Sequence, residues 1–286
     1  MSTAADIIRQ AARLNLKDAR RRGSAVHLEE RCELVVAGDI HGHRRNLARI
    51  ITYSALAGKP RRHLVLQELI HGPADPVTGH DRSAELLLRA ARLKCAQQGQ
   101  VLFVIGNHDV AQAAGSEIIK NGQSSCKAFA DGIRYSFGEK DAPEILDAVV
   151  EFIMSMPLAV TCGNGVLVAH SLPSPKRIGP AGAKEILHRP FGADDLKRGG
   201  DVYEWTWGRD HTAEQLDAMA SELGVDFFVL GHQHRDGGLE VLGRRAVALT
   251  SDHAQGRIIE FSTDEPLSAE TAVARSKLIA ALSAGG

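Results

Sequence analysis

Side chains that bind metal ions recur along this sequence in short motifs, each of which follows a short apolar run. They comprise carboxylates, imidazoles and one amide: Asp39, His41, Glu68, Asn107, His170, His232 and His234. Imidazole and carboxylate groups suit divalent ions such as Mn, Fe, Zn and Ni. Two such ions about 3.5–4 Å apart polarise a phosphoryl group and supply a bridging hydroxide for in-line attack. The residue types therefore predict a phosphoesterase with two divalent metal ions of undetermined identity.

Each motif alone is weak evidence for a metal site. Asp-x-His is more often a turn, Asn-His after a strand usually caps a helix, and an isolated strand-end histidine is usually structural. Here five motifs follow one another, each directly after an apolar run. Chance explains that arrangement poorly, so the motifs are interpreted together as one site.

The apolar runs before these motifs are predicted to be buried strands, because they are short and rich in β-branched residues. They cover residues 34–37, 64–66, 101–105, 166–169, 227–230, 246–249 and 258–261. Helical patterns separate them, including residues 84–95 and a helix that begins with a capping box at Thr212 and ends at Gly224. This alternation predicts an α/β domain, in which ligands bind at the carboxyl ends of the strands.

Composition excludes several other classes of protein. The 286 residues carry 34 Lys+Arg and 35 Asp+Glu, so no net charge attracts nucleic acid or an anionic membrane. No apolar run reaches the roughly 18 residues of a membrane span, and the N-terminus lacks the apolar core of a secretion signal. The four cysteines form no Cys-x-x-Cys pair. We expect a cytoplasmic protein with reduced thiols and without a nucleic-acid or membrane partner.

The motifs together resemble those of the calcineurin-like metallophosphoesterases. That family has the pattern GDxHG, GDxxDRG, GNH(D/E), a strand-end histidine and GHxH. The matching segments are residues 38–42 (GDIHG), 67–72 (QELIHG), 106–109 (GNHD), His170 and residues 231–234 (GHQH). The resemblance spans residues 33–262 and implies a four-layer αββα sandwich. We expect an N-terminal helical extension over residues 1–32, a helical insertion over about residues 110–156 and a C-terminal helical tail over residues 263–286.

The resemblance also implies a role for each site residue. One metal ion would bind Asp39, His41, Glu68 and His234, and the other would bind Glu68, Asn107, His170 and His232. His108 would act as general acid or transition-state stabiliser beside the leaving group, with Asp109 as its supporting partner.

Within that family, the sequence most resembles the branch of the phosphoprotein phosphatases. Residues 152–175 resemble the segment in which their Leu-Pro leads through a hairpin to the strand-end histidine. Trp207-Gly208-Arg209 resembles a Trp-x-Arg whose arginine grips the substrate phosphate. A surface salt bridge is the alternative for Arg209.

The second motif departs from the family pattern. Its bridging aspartate is replaced by Glu68, which is one methylene longer and needs a retracted backbone or another rotamer. The next aspartate, which pairs with the catalytic histidine, is His71 here, and the arginine that binds phosphate is Gly72. His43 and His71 are expected to line the site without binding metal.

Nearby residues offer replacements for these two losses. An insertion over residues 73–80 is followed by Asp81 and Arg82, which could fold back to restore the pair and the phosphate contact. Alternatively, Asp81 only caps the helix that follows. Arg44 and Arg45 are further candidates for phosphate binding.

Three functions are open at this point. The first is a phosphomonoesterase of the protein-phosphatase type, acting on a phosphoprotein or a small phosphorylated molecule. The second is a phosphodiesterase or dinucleoside-polyphosphate hydrolase, which GNHD and GHQH favour. The third is a catalytically impaired metal-binding scaffold, suggested by the changes at His71 and Gly72.

Overall fold

The computed structural model describes residues 3–29, 31–120, 122–174, 176–178, 182–209 and 211–283. The α-helices in these residues are α1 (Ala4–Leu16), α2 (Arg44–Ser54), α3 (Ser83–Ala96), α4 (Asn107–Ala114), α5 (Ser125–Phe137), α6 (Ala142–Ser155), α7 (Gly182–His188), α8 (Asp201–Thr206), α9 (Ala213–Leu223) and α10 (Ala269–Arg275). The strands are β1 (Arg21–Arg22), β2 (Ala25–Leu28), β3 (Glu33–Asp39), β4 (Arg62–Gln67), β5 (Val101–Val104), β6 (Ile119–Lys120), β7 (Gln123–Ser124), β8 (Ala159–Cys162), β9 (Val166–Ala169), β10 (Phe227–Leu230), β11 (Leu239–Leu242), β12 (Ala246–Leu249), β13 (Arg257–Ser262) and β14 (Ser276–Leu278).

Two sheets carry the fold. The larger has the strand order β1-β2-β8-β9-β10-β12-β11, and the smaller has the order β14-β13-β3-β4-β5. The neighbours β3, β4 and β5 are parallel, as are β9, β10 and β12. The carboxyl ends of each parallel set therefore lie along one edge of their sheet.

Strand residues alternate between two hydrophobic cores. In β3, Leu34 and Val36 belong to a core built from strands of both sheets, whereas Val35 and Ala37 pack with residues of the helices. The same period of two continues through β4, β5, β9 and β10, as the pleat of a strand requires. The sheets thus pack face to face with helices on their outer faces, which is the expected four-layer αββα sandwich.

The carboxyl ends of the two sheets meet at one point. Asp39, the last residue of β3, forms a parallel bridge with Thr250, which follows β12. The Ser251 N–H donates to the Asp39 carbonyl at 3.1 Å, and Gly38 approaches so closely that a Cβ there would lie 1.9 Å from the Leu249 carbonyl oxygen. This junction brings the strand ends of both sheets together where the predicted ligands lie.

The N-terminal segment, residues 1–32, differs from the helical extension expected from the sequence. Helix α1 packs against α3 and α6, but strands β1 and β2 follow it, and β2 pairs in parallel with β8. Val26 and Leu28 fill the core between the sheets while His27 is exposed. Strand β2 has only four residues and lies close to a basic stretch. Its alternation of buried and exposed residues is therefore too short to be recognised in the sequence.

The other two predicted segments contain helices together with short strands. The insertion over residues 110–156 consists of the rest of α4, then α5 and α6, with a small β6–β7 hairpin between α4 and α5. The tail over residues 263–286 has a short helix, α10, but then forms β14 against β13. Ile279 is fully buried, so the tail is part of the core, and residues 284–286 lie outside the described residues.

Two features bear on the protein's surroundings. Among the described residues no helix is long and apolar enough to cross a membrane. Cys32, Cys95, Cys126 and Cys162 are all unpaired. Burial raises the pKa of the Cys162 thiol, and a protonated thiol is a poor nucleophile, so Cys162 serves as a core residue.

Lys94 of α3 is a buried cation that makes stability depend on pH. Its Nζ donates to the Val101 carbonyl at 2.8 Å, and burial lowers its pKa to about 8, partly opposed by Asp18. Because an unfolded lysine titrates near pH 10.4, the unfolded chain binds more protons between these values, and stability rises with pH there. Between pH 7 and pH 10 we expect the free energy of unfolding of the wild type to rise by roughly 2 kcal/mol relative to that of Lys94→Met, as measured by urea unfolding. Parallel pH profiles for the two proteins would contradict this.

Candidate metal centre

Most of the predicted ligands meet at the joined carboxyl ends of the strands. Asp39 ends β3, Glu68 follows β4, and Asn107 begins α4 after β5. His170 follows β9 directly, and His232 lies two residues after β10. All five side chains are buried, so they form an enclosed polar cluster.

Glu68 lies between two groups of possible ligands. One group is His41, Glu68 and His108, the other is Asp39, Glu68 and His170, and in each the donor atoms lie within 4.8 Å of one another. Glu68 Oε2 is 3.1 Å from His41 Nε2, and Glu68 Oε1 is 3.5 Å from His170 Nε2. The two oxygens of this carboxylate therefore face different histidines, as a carboxylate shared by two ions would.

Hydrogen bonds orient the ligands within each group. His41 Nδ1 donates to the Ile70 carbonyl at 3.0 Å, which leaves Nε2 as the metal-binding nitrogen. On the other side, Asn107 Oδ1 is 2.9 Å from His170 Nε2 and 2.7 Å from His232 Nδ1. The amide oxygen and both imidazole nitrogens thus converge on one point.

The backbone is strained around the cluster. Six described non-glycine residues have positive φ, a conformation that costs an L-residue about 1–3 kcal/mol. Four of them are site residues: His41 (φ 40), Glu68 (φ 38), His71 (φ 59) and His232 (φ 71). The left-handed turn at Glu68 directs this longer side chain into the site from the end of β4.

Gly106 provides the space that the longer side chain needs. A Cβ at Gly106 would lie 2.3 Å from both Cγ and Oε1 of Glu68. The same Oε1 accepts a hydrogen bond of 2.7 Å from the His108 backbone N–H. The start of α4 therefore fixes the Glu68 carboxylate from two sides.

Gly106→Ala is expected to displace the Glu68 carboxylate and weaken metal binding by roughly 10- to 100-fold, the range typical of groups that orient metal ligands. Isothermal titration with Mn²⁺ would measure the change. Gly58→Ala is the matched control, because a Cβ there meets nothing within 4 Å. Equal affinities in the two variants would contradict the role assigned to Gly106.

The charges of the cluster favour bound cations. Burial opposes protonation of His41, but hydrogen bonding and attraction from Glu68 raise its pKa to about 10. Burial likewise opposes protonation of His170, and the charges of Glu68 and Asp39 raise its pKa. Cations are thus stabilised here, and a divalent ion would displace these protons.

His232 supplies a neutral donor to this anionic cluster. Burial, together with the nearby His170 and Arg209, lowers its pKa to about 2. Its Nε2 is buried without a hydrogen-bond partner in the described part of the chain. Two carboxylates, an amide and neutral imidazoles form a donor set that fits borderline divalent metals.

His108 contacts the cluster on one side and His71 on the other. Its ring centroid is 4.7 Å from that of His41, and its Nδ1 is 3.0 Å from His71 Nδ1. His71 Nε2 is 2.9 Å from Gln112 Oε1. Burial lowers the pKa values of both His71 and His108 to about 4. Sequence reasoning missed Gln112, although its spacing of four residues from His108 puts both on one helix face.

Asp109 supports the turn that precedes His108. Its Oδ2 accepts the Gly106 N–H at 2.9 Å, which caps α4. Burial raises the pKa of Asp109 to about 7, with a contribution from the Glu68 charge. Asp109 therefore fixes the glycine against which Glu68 lies.

His234 lies apart from Glu68, although the sequence analysis assigned both to the same ion. Its side chain is 58% exposed, with Nε2 3.2 Å from Asp236 Oδ1. It groups with Asp252 and His253 instead. The left-handed turn at His232 directs the first histidine of GHQH inward and leaves the second at the surface.

Most of the predicted phosphate-binding residues have other partners. Arg44 and Arg82 both form salt bridges with Glu85. Asp81 Oδ1 accepts the Ser83 N–H at 2.8 Å, in the turn that leads into α3. Gly72 could not hold a side chain, because a Cβ there would lie 2.8 Å from the His41 carbonyl oxygen.

Two predicted arginines are exposed near the site. Arg45 lies in the first turn of α2. The Arg209 carbonyl accepts a hydrogen bond from Gln233 Nε2 at 3.3 Å. The positive charge of the Arg209 side chain contributes to lowering the pKa of His232. No described carboxylate pairs with Arg209, so the predicted surface salt bridge is not seen there.

A cavity of about 790 Å³ borders the cluster. His71 and Gly72 line its inner end, the hairpin around residues 73–81 forms one wall, and residues 122–131 form the other. Its size suits a substrate group of moderate size.

Comparisons with known proteins agree with this fold. The family model described as calcineurin-like phosphoesterase matches residues 33–236. No curated protein matches the chain. A protein serine/threonine phosphatase from Saccharomyces cerevisiae, described as similar to human phosphatase PP5, is 18% identical with a TM-score of 0.66, over 90% of this chain and 81% of that one.

A second kind of solved structure shares the architecture. A cold-active protein tyrosine phosphatase is 13% identical with a TM-score of 0.56, over 88% of this chain and 81% of that one. A cold-active protein-tyrosine phosphatase of a psychrophilic Shewanella species is 15% identical with a TM-score of 0.53, over 88% and 82%. At these identities the likeness establishes the fold alone.

Proposed function

Since the chain belongs to the calcineurin-like phosphoesterase family, we propose that it hydrolyses phosphate monoesters at a centre where two divalent metal ions share Glu68. Family membership makes the chain a hydrolase of phosphoric esters. The observation that carries the two-ion centre is the position of Glu68, whose oxygens face two separate groups of ligands.

The ligands divide between the two sides of Glu68. By the family resemblance, Asp39, His41 and Glu68 would hold one ion, and Glu68, Asn107, His170 and His232 would hold the other. Asp39 is also within reach of the second ion, because it groups with Glu68 and His170. Ions bound there would supply positive charge that attracts the phosphate and acidifies a water molecule. Manganese, iron, zinc and nickel all suit these donors. Because His234 lies apart from Glu68, the ion beside His41 would have three protein ligands, Asp39, His41 and Glu68.

The remaining residues would bind the phosphate and assist the leaving group. His108 contacts the Glu68 carboxylate through its backbone, and its ring would donate a proton to the leaving oxygen. Arg209 lies exposed beside His232 and would bind a phosphate oxygen in a bidentate manner. Arg45 is the next candidate, because Glu85 already engages Arg44 and Arg82.

We infer a phosphorylated protein side chain as the substrate class. The solved structures of similar fold include protein phosphatases, and the cavity beside His71 has room for a residue and its neighbours. The four unpaired cysteines favour a cytoplasmic location, where thiols stay reduced.

Metal depletion and reconstitution test this function. The protein would be stripped with a chelator, reloaded separately with Mn²⁺, Fe²⁺, Zn²⁺ or Ni²⁺, and assayed on p-nitrophenyl phosphate and bis(p-nitrophenyl) phosphate. We expect no activity after stripping, recovery with at least one ion, and faster turnover of the monoester. Faster turnover of the diester would favour the phosphodiesterase, and inactivity with every ion would favour the metal-binding scaffold.

A further inference from the structure

We propose that His71 and Gln112 are positioning residues that hold His108 in the tautomer and orientation needed to protonate the leaving group. This inference rests on the proposed role of His108 as proton donor. In the resembling family an aspartate stands where His71 does, so here a neutral imidazole, itself oriented by an amide, would take over the task of a carboxylate.

The direction of each hydrogen bond follows from the chemistry of the groups. Gln112 Oε1 can only accept, so His71 Nε2, at 2.9 Å, is the donor. A neutral imidazole with one nitrogen protonated accepts at the other, so His71 Nδ1 accepts. His108 Nδ1, at 3.0 Å, must then donate. The protein anchors the Nδ1 proton, so Nε2 is the nitrogen of the neutral His108 ring that is left to take up the proton to be transferred.

The surroundings keep this chain of contacts in place. His71 is only 4% exposed and lies edge-on to Phe129 of α5, with ring centroids 5.6 Å apart. Its backbone is left-handed, which directs the ring away from β4 and toward α4. His108 and Gln112 are four residues apart on α4 and so present their side chains on the same face. A buried hydrogen-bonded chain of this kind orients its members firmly.

The location suits protonation of a leaving group. His108 contacts Glu68 through its backbone N–H and His71 through its ring, and His71 borders the cavity of about 790 Å³. In the step, a water oxygen forms a new bond to phosphorus and the bond from phosphorus to the leaving oxygen breaks. The electron pair stays on the leaving oxygen. His108 Nε2 takes up a proton from solvent and passes it to that oxygen, and the attacking water loses a proton to solvent, so the protons balance.

Leaving-group dependence separates positioning from general support of the structure. A weakly basic p-nitrophenolate departs without a proton, whereas an alkoxide such as that of phosphoserine needs one. We expect Gln112→Met to lower kcat on a phosphoserine peptide by roughly 10- to 100-fold and to change kcat on p-nitrophenyl phosphate by less than about threefold. Gln112→Glu keeps the accepting oxygen and should retain near wild-type activity on both.

A control variant and a second measurement make the result interpretable. Gln10→Met, on the exposed side of α1, should leave both activities unchanged. Nitrogen-15 NMR of the metal-free protein would report the tautomers directly, with a proton on His71 Nε2 and on His108 Nδ1 in the wild type and in Gln112→Glu. Wild-type protein that hydrolyses no ester with any metal would contradict the proposed function but leave the tautomers measurable.

Three outcomes would overturn the inference itself. Equal losses on the two substrates in Gln112→Met would show a merely structural role. The opposite tautomers, or a Gln112→Glu variant as impaired as Gln112→Met, would show that the amide donates rather than accepts.

Discussion

Replacing Glu68 with glutamine is expected to lower kcat on p-nitrophenyl phosphate by about 10³-fold or more, and to reduce the bound metal below two ions per chain. A single electrostatic group at a reacting centre is worth about 10²–10³ in kcat. Glu68 should exceed that range because its oxygens face both ligand groups, at 3.1 Å from His41 Nε2 and 3.5 Å from His170 Nε2. Glutamine keeps the shape of the side chain but removes the charge.

Glu204→Gln is the matched control for this variant. Glu204 is a buried glutamate of α8, with Arg177 at 3.5 Å, and it lies outside the ligand groups. Metal analysis by plasma mass spectrometry and steady-state kinetics would be run on both proteins, with circular dichroism to confirm folding. A folded Glu68→Gln protein with full metal content and near wild-type kcat would contradict the shared-ligand role.

Replacing His108 with alanine is expected to lower kcat on a phosphoserine peptide by roughly 10²–10⁴-fold, the usual contribution of a general acid, without changing the number of bound metal ions. The reason is geometric: His108 contacts Glu68 through its backbone N–H, which alanine keeps, while its ring contacts His71. The variant therefore removes proton donation and leaves the hydrogen bond to the carboxylate.

This second variant also decides whether His108 is itself a metal ligand, because its ring lies within reach of His41 and Glu68. His188→Ala, an exposed histidine of α7, is the control and should behave as wild type. If His108→Ala lost one ion per chain together with its activity, His108 would be a ligand and the assignment of the general acid would be wrong.

The sequence predicted the parts of the fold that carry strong local signals. Strands β3, β4, β5, β9, β10 and β12 are buried on both faces and therefore read as continuous apolar runs. Strands β2, β8, β11 and β14 were not predicted. Thr161 interrupts the apolar pattern of β8, and β11 lies at an edge with partly exposed residues, so their formation depends on neighbours distant in the chain.

The position of the site was predictable for a similar reason. Parallel strands place their carboxyl ends at one edge, so Asp39, Glu68 and Asn107, which follow β3, β4 and β5, could be expected to meet. What the sequence could not show was the direction of each side chain after its strand. The left-handed turn at His232 separates it from His234, and the turn at His71 directs that ring to His108. Such turns depend on contacts that only the folded chain makes.

The central claim is that two ions share the carboxylate of Glu68. An anomalous difference map of crystals of the metal-reconstituted protein tests it most directly. We predict two peaks about 3.5–4 Å apart, one on each side of Glu68, with His41 at one and Asn107, His170 and His232 at the other. A single peak, or peaks only at His234, Asp252 and His253, would contradict it.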